Sequence, residues 1–194
     1  MKQSIIYSNI YIYRLLMNVL YFGQYKKRFK NVVELIQPNT NSVIELCFGD
    51  TFIAKYCQSN GICWKGFDLN EKFVASAIHL GLDAYVQDIM LLPEFPKCHT
   101  YIITGSLYHF KEKSAELIHK LMAVSEQVII SEPIKNLSTK KGLIGFIARK
   151  SGNAGKGTEA FRFDETSFLQ MMDSLHIHYK VISIDKDILI QIKK

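Results

Sequence analysis

The segment Val43-Ile44-Glu45-Leu46-Cys47-Phe48-Gly49-Asp50-Thr51 constrains the fold of this chain more than any other. It has the pattern of a buried strand that ends in an acidic, glycine-containing turn, and the turn leads directly into a predicted helix. A strand, a turn and a helix in immediate succession are typical of an α/β fold, in which turns of this kind hold nucleotide-like ligands.

Two further acidic residues stand at the ends of later apolar runs. Asp68 closes the run Cys63-Trp64-Lys65-Gly66-Phe67, and Asp88 closes the run Ala84-Tyr85-Val86-Gln87. In an open parallel sheet the strand ends line up along one edge, so acidic residues at successive strand ends can converge on one ligand. The sequence therefore predicts a ligand site at the carboxyl ends of the first three strands.

The rest of the chain alternates between helix and strand signals and contains no internal repeat. Asn70 is a favoured N-cap residue and Gly81 a favoured helix stop, so they bound one predicted helix. Such alternation implies parallel strands with right-handed crossovers and helices on both faces of the sheet. The other predicted elements are helices at 51–59, 111–124 and 164–175, and strands at 101–104 and 127–131.

The C-terminus breaks this alternation. Two apolar runs, Tyr179–Ile184 and Ile188–Ile192, are predicted strands with only Asp185-Lys186-Asp187 between them. Three residues cannot form a crossover helix, so these strands must pair antiparallel. The predicted fold is therefore α/β and Rossmann-like, with a mostly parallel seven-stranded sheet, a C-terminal antiparallel hairpin and helices on both faces.

The composition fits one domain, because 48% of the 194 residues are hydrophobic and can bury a full core. We expect this domain at 41–194 and an N-terminal helical extension, packed on its core, at 1–40. The four cysteines form no C-x-x-C pair and the six histidines form no convincing ligand set. We therefore expect reduced thiols, no metal and a cytoplasmic location.

The apolar stretch from residue 5 to residue 22 is interrupted by Asn9, Arg14 and Asn18. This pattern supports neither a membrane-spanning helix nor a signal peptide. It does predict a helix packed on the domain through one apolar face, which consists of Ile6, Ile10, Tyr13, Met17 and Leu20. The alternative is peripheral docking on a membrane surface, aided by the basic residues Lys26, Lys27, Arg28 and Lys30.

The acidic strand ends and the C-terminal hairpin together resemble the class I S-adenosylmethionine (SAM)-dependent methyltransferases. The segment Glu45–Asp50 resembles the first motif of that family, an acidic residue followed by a glycine-rich turn. Cys47 stands where the first glycine is usual, and Thr51 stands where the third is usual. The resemblance implies that SAM is the cofactor and that the chain transfers its methyl group.

The resemblance also implies which residues bind the cofactor. The backbone after Glu45 would wrap the methionine part of SAM, where close approach favours small residues. Asp68 matches the acidic residue that accepts both ribose hydroxyls, since a carboxylate has two acceptor oxygens. Asp88 matches the position that reads the adenine amino group. The full implied set is Glu45, Leu46, Cys47, Phe48, Gly49, Asp50, Asp68, Leu69, Asp88, Ile89, Gly105 and Ser106.

The segment 104–110 resembles the part of the family that lies between the cofactor and the methyl acceptor. Gly105-Ser106 would lie beside the cofactor, which leaves Tyr108 and His109 near the acceptor. A histidine with a near-neutral pKa can take the proton from an attacking hydroxyl or amine, so His109 is a candidate general base. Glu132, at the end of the fifth predicted strand, is the rival candidate, and a hydrogen bond to nearby backbone is its alternative role.

Basic residues dominate the segment 135–162, in which Glu159 is the sole acidic residue. Its glycines and its place after the fifth strand predict a basic lid over the acceptor. Such a lid would attract a small anionic acceptor, either a metabolite or a lipid-like molecule. The implied acceptor-binding residues are Tyr108, Lys140, Lys141 and Arg149.

Nucleic acid is disfavoured as the acceptor, because the N/D-P-P-Y/F signature of amino-methylating nucleic-acid enzymes is absent after the fourth strand. Two other classes of protein stay open. A non-catalytic, methyltransferase-like nucleotide-binding protein would use the same turns. An NAD-dependent oxidoreductase could also use an acidic residue after the second strand, although the G-x-G-x-x-G motif is missing.

Overall fold

The computed structural model describes residues 10–135 and 161–194. Two helices come first, strands then alternate with helices, and a hairpin ends the chain. The helices are α1 Ile10–Leu20, α2 Tyr25–Val33, α3 Phe52–Ser59, α4 Glu71–His79, α5 Ser114–Val124 and α6 Glu165–Ser174. The strands are β1 Ser42–Leu46, β2 Cys63–Asp68, β3 Asp83–Val86, β4 Thr100–Thr104, β5 Gln127–Pro133, β6 Tyr179–Ile184 and β7 Asp187–Lys193. Segments of 3₁₀ helix follow β3 and β4, at Ile89–Leu91 and Leu107–Lys113.

Seven strands within the described residues form one sheet, in the order β3-β2-β1-β4-β5-β7-β6. The first five strands are parallel, whereas β7 pairs antiparallel with both β5 and β6. Asp185 and Lys186 alone connect β6 to β7. The arrangement confirms the predicted mostly parallel sheet with an antiparallel hairpin at its C-terminal edge.

The core consists of two apolar layers, one on each face of the sheet. Successive residues of a strand point to opposite faces. In β5, Val128 and Ile130 accordingly pack in the cluster that contains α5 and α6, whereas Ile129 packs in the cluster that contains α2, α3 and α4. Burial on both faces explains why the central strands read as continuous apolar runs in the sequence.

Capping residues place two helix starts where the sequence predicts them. Asn70 caps α4 through a side-chain oxygen that accepts two backbone N–H groups, and Asp164 caps α6 through one that accepts the Ser167 N–H. The predicted helix at 111–124 differs, because the chain first forms the 3₁₀ segment and the α-helix begins only at Ser114. The buried carboxylate of Glu132 accepts hydrogen bonds from the first two backbone N–H groups of the 3₁₀ segment, which fixes that tighter turn.

The N-terminal helices α1 and α2 pack against the helix layer that contains α3 and α4. Tyr13 of α1 contacts Phe73 of α4, with ring centroids 5.1 Å apart. Phe29 of α2 stacks on Phe52 of α3 at the same centroid distance, 5.1 Å. Aromatic contacts of this kind stabilise by burial and by ring geometry together. The inner face of α1 therefore packs on the rest of the chain.

Among the residues that the structure describes, no helix is both long enough and apolar enough to cross a membrane.

We predict that Gly66→Ala destabilises the fold. Gly66 lies in β2, and a methyl group there would overlap the Trp64 ring and approach a ring carbon of Phe48 to 2.8 Å. Overpacking of this kind should lower the free energy of unfolding, measured by urea denaturation, by about 1–3 kcal/mol. The control is Lys72→Ala on the exposed face of α4, which should change it by no more than about 0.5 kcal/mol. Equal unfolding free energies for the two variants would contradict this account of β2.

Candidate functional site

A pocket lies at the carboxyl ends of β1, β2 and β4. β1 and β4 are neighbours, and the strand order reverses between them. In open α/β sheets this switch point is where ligands bind, because the loops that leave the two strands run to opposite faces of the sheet. The cavity measures about 220 Å³ and is lined by Tyr13, Tyr25, Arg28, Phe29, Cys47, Phe48, Gly49, Asp68, Leu69, Asn70, Phe73, Met90, Thr104, Gly105, Ser106, Tyr108, His109 and Phe110.

The pocket brings together residues that the sequence predicts from three separate loops. These residues are Cys47, Phe48, Gly49, Asp68, Leu69, Gly105, Ser106, Tyr108 and His109. The predicted residues that lie near the pocket without lining it are Glu45, Leu46, Asp50, Asp88, Ile89 and Glu132. Outside the described residues lie most of the predicted basic lid and the predicted acceptor-binding residues Lys140, Lys141 and Arg149.

The turn after β1 needs a left-handed backbone at two positions. Cys47 has φ +53° and Gly49 has φ +56°. Glycine adopts this conformation without steric cost, whereas a residue with a Cβ atom costs about 1–2 kcal/mol there. The N–H of Cys47 donates to the carbonyl of Phe67 at 2.6 Å, which ties the turn to β2. Cys47 is therefore small, like the glycine that is usual at this position, and it also adopts the left-handed conformation that a glycine would adopt there.

Asp68 connects the loops that follow β1 and β2. Its Oδ2 atom accepts the Gly49 N–H at 3.0 Å, and its Oδ1 atom accepts the Asn70 N–H at 2.8 Å. Burial raises the pKa of the Asp68 carboxyl, while these backbone N–H groups oppose the rise. Each carboxylate oxygen can accept two hydrogen bonds. Asp68 can therefore hold two hydroxyl groups of a ligand while the backbone keeps it in place.

The other acidic residues near the first three strand ends hold the scaffold around the pocket. Glu45 is fully buried, accepts the Trp64 indole N–H at 3.0 Å, and has a pKa that burial raises well above its usual value. Asp50 is also fully buried and pairs with Arg14 of α1 at 2.6 Å. Asp88 accepts a backbone N–H at 3.1 Å and caps the 3₁₀ segment after β3. The Asp50 contact helps to attach α1 to the loop after β1.

Arg28 of α2 lines the pocket, although the sequence marks it only as part of a basic surface. Its Nε atom pairs with Asp187 at 2.6 Å, and its Nη2 atom donates to the Ser131 carbonyl at 3.1 Å. The guanidinium packs against Gly105, where any Cβ atom would collide with it. The side chain is only 6% exposed, so Arg28 does not belong to an exposed basic surface.

Aromatic side chains of α1 and α2 form a further wall of the pocket, which the sequence does not predict. Tyr13, Tyr25 and Phe29 all line it. The Tyr13 hydroxyl lies 3.3 Å from where a Cβ atom on Gly49 would stand, so the ring covers the turn after β1. The helical spacing of the N-terminus indicates that Tyr13 faces inward, but it carries no signal for the loop that Tyr13 meets.

Tyr108 and His109 lie on the β4 side of the pocket, with ring centroids 4.0 Å apart. The guanidinium of Arg162 lies 3.7 Å from the Tyr108 ring centroid, in a cation–π arrangement. Glu132 accepts the N–H groups of Leu107 and Tyr108, at 3.0 Å and 3.4 Å. It supports the backbone that carries His109 and does not line the pocket.

No family model matches this chain, and no curated protein matches it. Its fold does match solved structures. An O-methyltransferase family protein from Burkholderia thailandensis has a TM-score of 0.67 and 14% identity, over 97% of this chain and 61% of that one. Human N-acetylserotonin methyltransferase in complex with SAM has a TM-score of 0.64 and 15% identity, over 97% of this chain and 57% of that one. This chain therefore spans less than two thirds of either protein.

In a third solved structure, this chain matches a larger share of the other protein. Magnesium protoporphyrin IX methyltransferase from Synechocystis PCC 6803, with bound S-adenosylhomocysteine (SAH), has a TM-score of 0.58 and 16% identity, over 87% of this chain and 82% of that one. At these identities the likeness is one of fold. The chain has the fold of the class I SAM-dependent methyltransferases.

We predict that Glu132 makes the stability of the protein depend on pH. Burial raises the pKa of Glu132 to about 8, while the Arg28 charge and the backbone N–H bonds oppose the rise. The folded state then favours the protonated carboxyl, so the contribution to stability is full below the unfolded pKa and is lost as the pH rises through about 8. Between about pH 5 and about pH 8, the free energy of unfolding should therefore fall less for Glu132→Gln than for the unchanged protein.

The control for this experiment is Glu116→Gln. Glu116 is exposed, and its pKa is lowered by Lys120, so this variant should keep the loss of stability between the two pH values. Urea denaturation at a series of pH values measures both variants. Parallel stability curves for Glu132→Gln and the unchanged protein would show that Glu132 is not the group responsible.

Proposed function

We propose that this chain is a SAM-dependent methyltransferase that acts on a small acceptor. The observation that carries the proposal is one pocket at the switch point of the sheet, in which Asp68 lies with the left-handed turns at Gly49 and Gly105. Two proteins of the same fold support SAM as the cofactor, since the human enzyme was crystallised with SAM and the Synechocystis enzyme with SAH.

The proposed cofactor lies along the carboxyl ends of β1 and β2. The Asp68 carboxylate accepts the two ribose hydroxyls, because the backbone N–H groups that it already binds fix its orientation. Leu69 and Met90 line the pocket on the same side and offer apolar contact to the adenine ring. Asp88 and Ile89 remain the proposed residues for the adenine end, where the Asp88 cap fixes the segment that carries Met90.

Arg28 is the proposed partner of the cofactor carboxylate. A guanidinium is planar, carries five N–H donors and pairs well with carboxylates. Asp187 and Ser131 engage the Nε and Nη2 atoms of Arg28 and thereby hold the group against Gly105, at the pocket wall. This position favours the negatively charged end of the methionine part, close to the turn at Cys47–Gly49.

Methyl transfer requires mainly that the protein align an acceptor atom and exclude water. The sulfonium of SAM supplies a methyl group that is already activated. Tyr108 and Phe110 provide aromatic walls for an acceptor, and His109 stands beside them to take a proton from an attacking hydroxyl or amine. Glu132 positions this segment through the two backbone N–H groups that it binds.

The proposed acceptor is a small anionic metabolite or a lipid-like molecule. Arg162, over the Tyr108 ring, brings a positive charge to the acceptor side of the pocket. Lys140, Lys141 and Arg149 belong to the same proposal as residues of the basic lid. Positive charge near the acceptor raises the local concentration of anions and speeds their association.

A non-catalytic binding protein is the second candidate, favoured by Cys47 in place of the usual glycine. Such a protein would bind SAM and SAH but would not convert SAM to SAH with any acceptor. Turnover of SAM to SAH in the presence of a panel of small acids therefore separates the two candidates. Titration with NADH tests the oxidoreductase alternative, for which we expect no binding.

We predict that Asp68→Asn weakens the binding of SAH. The amide has a single acceptor oxygen and cannot satisfy both the backbone N–H groups and two ribose hydroxyls. The expected loss is about 1.5–3 kcal/mol, the range for hydrogen bonds to a charged group, measured by isothermal titration calorimetry. The control is Asp83→Asn at the start of β3, where an exposed carboxylate pairs with Lys65 at 3.6 Å, and SAH affinity should not change. Unchanged affinity in Asp68→Asn would remove Asp68 from the cofactor site.

We predict that Arg28→Lys weakens the binding of SAH but not the binding of 5′-methylthioadenosine, which lacks the amino-acid part. Lysine keeps a positive charge for Asp187 but loses the planar fork that pairs with a second carboxylate. SAH should therefore bind about tenfold more weakly, or about 1.4 kcal/mol, while the affinity for 5′-methylthioadenosine stays the same. Calorimetry measures both ligands on both proteins. An equal loss for the two ligands would mean that Arg28 only shapes the pocket.

A further inference from the structure

The outer face of α1 is apolar and exposed. Ile12, Leu15 and Val19 are 45%, 68% and 63% exposed, and Phe22, just after the helix, is 72% exposed. The spacing of three and four residues places Ile12, Leu15 and Val19 along one side of the helix, and Phe22 follows in the turn after it. We call these four residues the outer stripe. The opposite side of α1 packs on the core, so the helix presents apolar residues in two directions.

The end of the outer stripe is held in a strained conformation. Phe22 has φ +49°, which is unfavourable for a bulky residue with a Cβ atom. The following residue, Gly23, also has positive φ and completes the turn into α2. The turn keeps the Phe22 ring exposed, where burial within the described residues does not offset the strain. The Gly23 N–H donates to the Asn18 carbonyl at 2.8 Å, so Phe22 is the left-handed residue of the C-cap of α1, and the cap holds its ring at the surface.

Basic residues surround this end of the stripe. The Lys186 ammonium lies 5.7 Å from the Phe22 ring centroid and 3.9 Å from that of Tyr21. Lys26 and Lys27 are exposed in the first turn of α2, directly after the turn at Phe22. Lys27 and Lys186 also line one shallow depression, which Asp185 shares. Burial lowers the pKa of Lys186 to about 8, and its ammonium donates to the Leu20 carbonyl.

The charge pattern decides which partner fits the outer stripe. An apolar helix face beside lysines is typical of helices that lie in the interface of a bilayer with anionic headgroups. Each lysine near such a surface adds attraction, and the net charge of +6 on the whole chain acts in the same direction. Pairing two copies of the chain through this face would instead bring like charges together.

We propose that the outer stripe docks on membranes that contain anionic lipid. The apolar side chains of Ile12, Leu15, Val19 and Phe22 enter the headgroup region, and the exposed Lys26 and Lys27 face the lipid phosphates and carboxylates. The helix lies on the bilayer, with its inner face still packed on the protein. The inference uses only α1, α2 and the β6–β7 turn, so it does not depend on methyl transfer.

Flotation of the 194-residue chain with lipid vesicles tests the proposal. The unchanged protein should float with vesicles of phosphatidylcholine and phosphatidylserine, should remain largely unbound with phosphatidylcholine alone, and should bind less as the salt concentration rises. The variant Leu15→Ser/Val19→Ser/Phe22→Ser should lose at least about tenfold in binding, since it removes the apolar contact. Lys26→Gln/Lys27→Gln should bind less tightly and lose part of the salt dependence. Failure of the unchanged protein to float with the anionic vesicles would overturn the proposal.

A matched control comes from exposed apolar residues elsewhere on the surface. Leu91 and Ile78 are 76% and 56% exposed and lie outside the outer stripe. The variant Ile78→Ser/Leu91→Ser should float with anionic vesicles as well as the unchanged protein does. An equal loss in this control would show that binding is general surface adhesion and would overturn the proposal.

Two further measurements keep the test independent of mutant folding and of the proposed function. Hydrogen exchange on the unchanged protein should show added protection at residues 12–22 when anionic vesicles are present. Sedimentation velocity should show the same monomer for the unchanged protein and the triple serine variant; a dimer lost in that variant, without vesicle binding, would assign the stripe to a second copy. Binding of SAH, measured without lipid, reports on the proposed methyltransferase site alone, so failure of that function would leave the docking result intact.

Discussion

The buried ion pair between Arg28 of α2 and Asp187 of β7 joins parts of the chain that are otherwise far apart. The same guanidinium binds the Ser131 carbonyl of β5 and packs against Gly105 after β4. A buried pair of this kind stabilises only when further hydrogen bonds satisfy both groups, and here Tyr21 also donates to Asp187 at 2.9 Å. The N-terminal helices, the C-terminal hairpin and one wall of the pocket therefore depend on a single charged cluster.

The sheet was predictable from the sequence because each of its signals is local. Apolar runs bounded by turn residues mark the strands. Asn70 and Asp164 mark the starts of α4 and α6, because each is a capping residue whose side chain binds the backbone within the next three residues. The two-residue connection between β6 and β7 forces an antiparallel pair, which determines the C-terminal edge of the sheet. The helix at 111–124 was only partly predictable, since its first turns are set by Glu132, a residue from another strand.

The loops that form the candidate site were predictable from the sequence, but the long-range ion pairs of its charged residues were not. Parallel strands bring the turns at Gly49, Asp68 and Gly105 to one edge, so their common pocket follows from strand order alone. The roles of the neighbouring acidic residues could not be predicted from strand order, because they depend on partners that are distant in the sequence. Asp50, for example, pairs with Arg14, 36 residues away. Arg28 is 159 positions from Asp187, and no periodicity or motif connects such residues. Sequence patterns identify the strand ends, whereas long-range packing decides which charges stay available for a ligand.

The Arg14–Asp50 pair and the Tyr13 ring place α1 across the turn that follows β1. A molecule held in that pocket therefore meets Tyr13 of α1 as well as the loops at the strand ends. Asp50 is fully buried, and separating it from Arg14 would leave its charge without compensation until water arrives. The wall that α1 gives to the pocket is therefore held by a buried charge as well as by apolar packing.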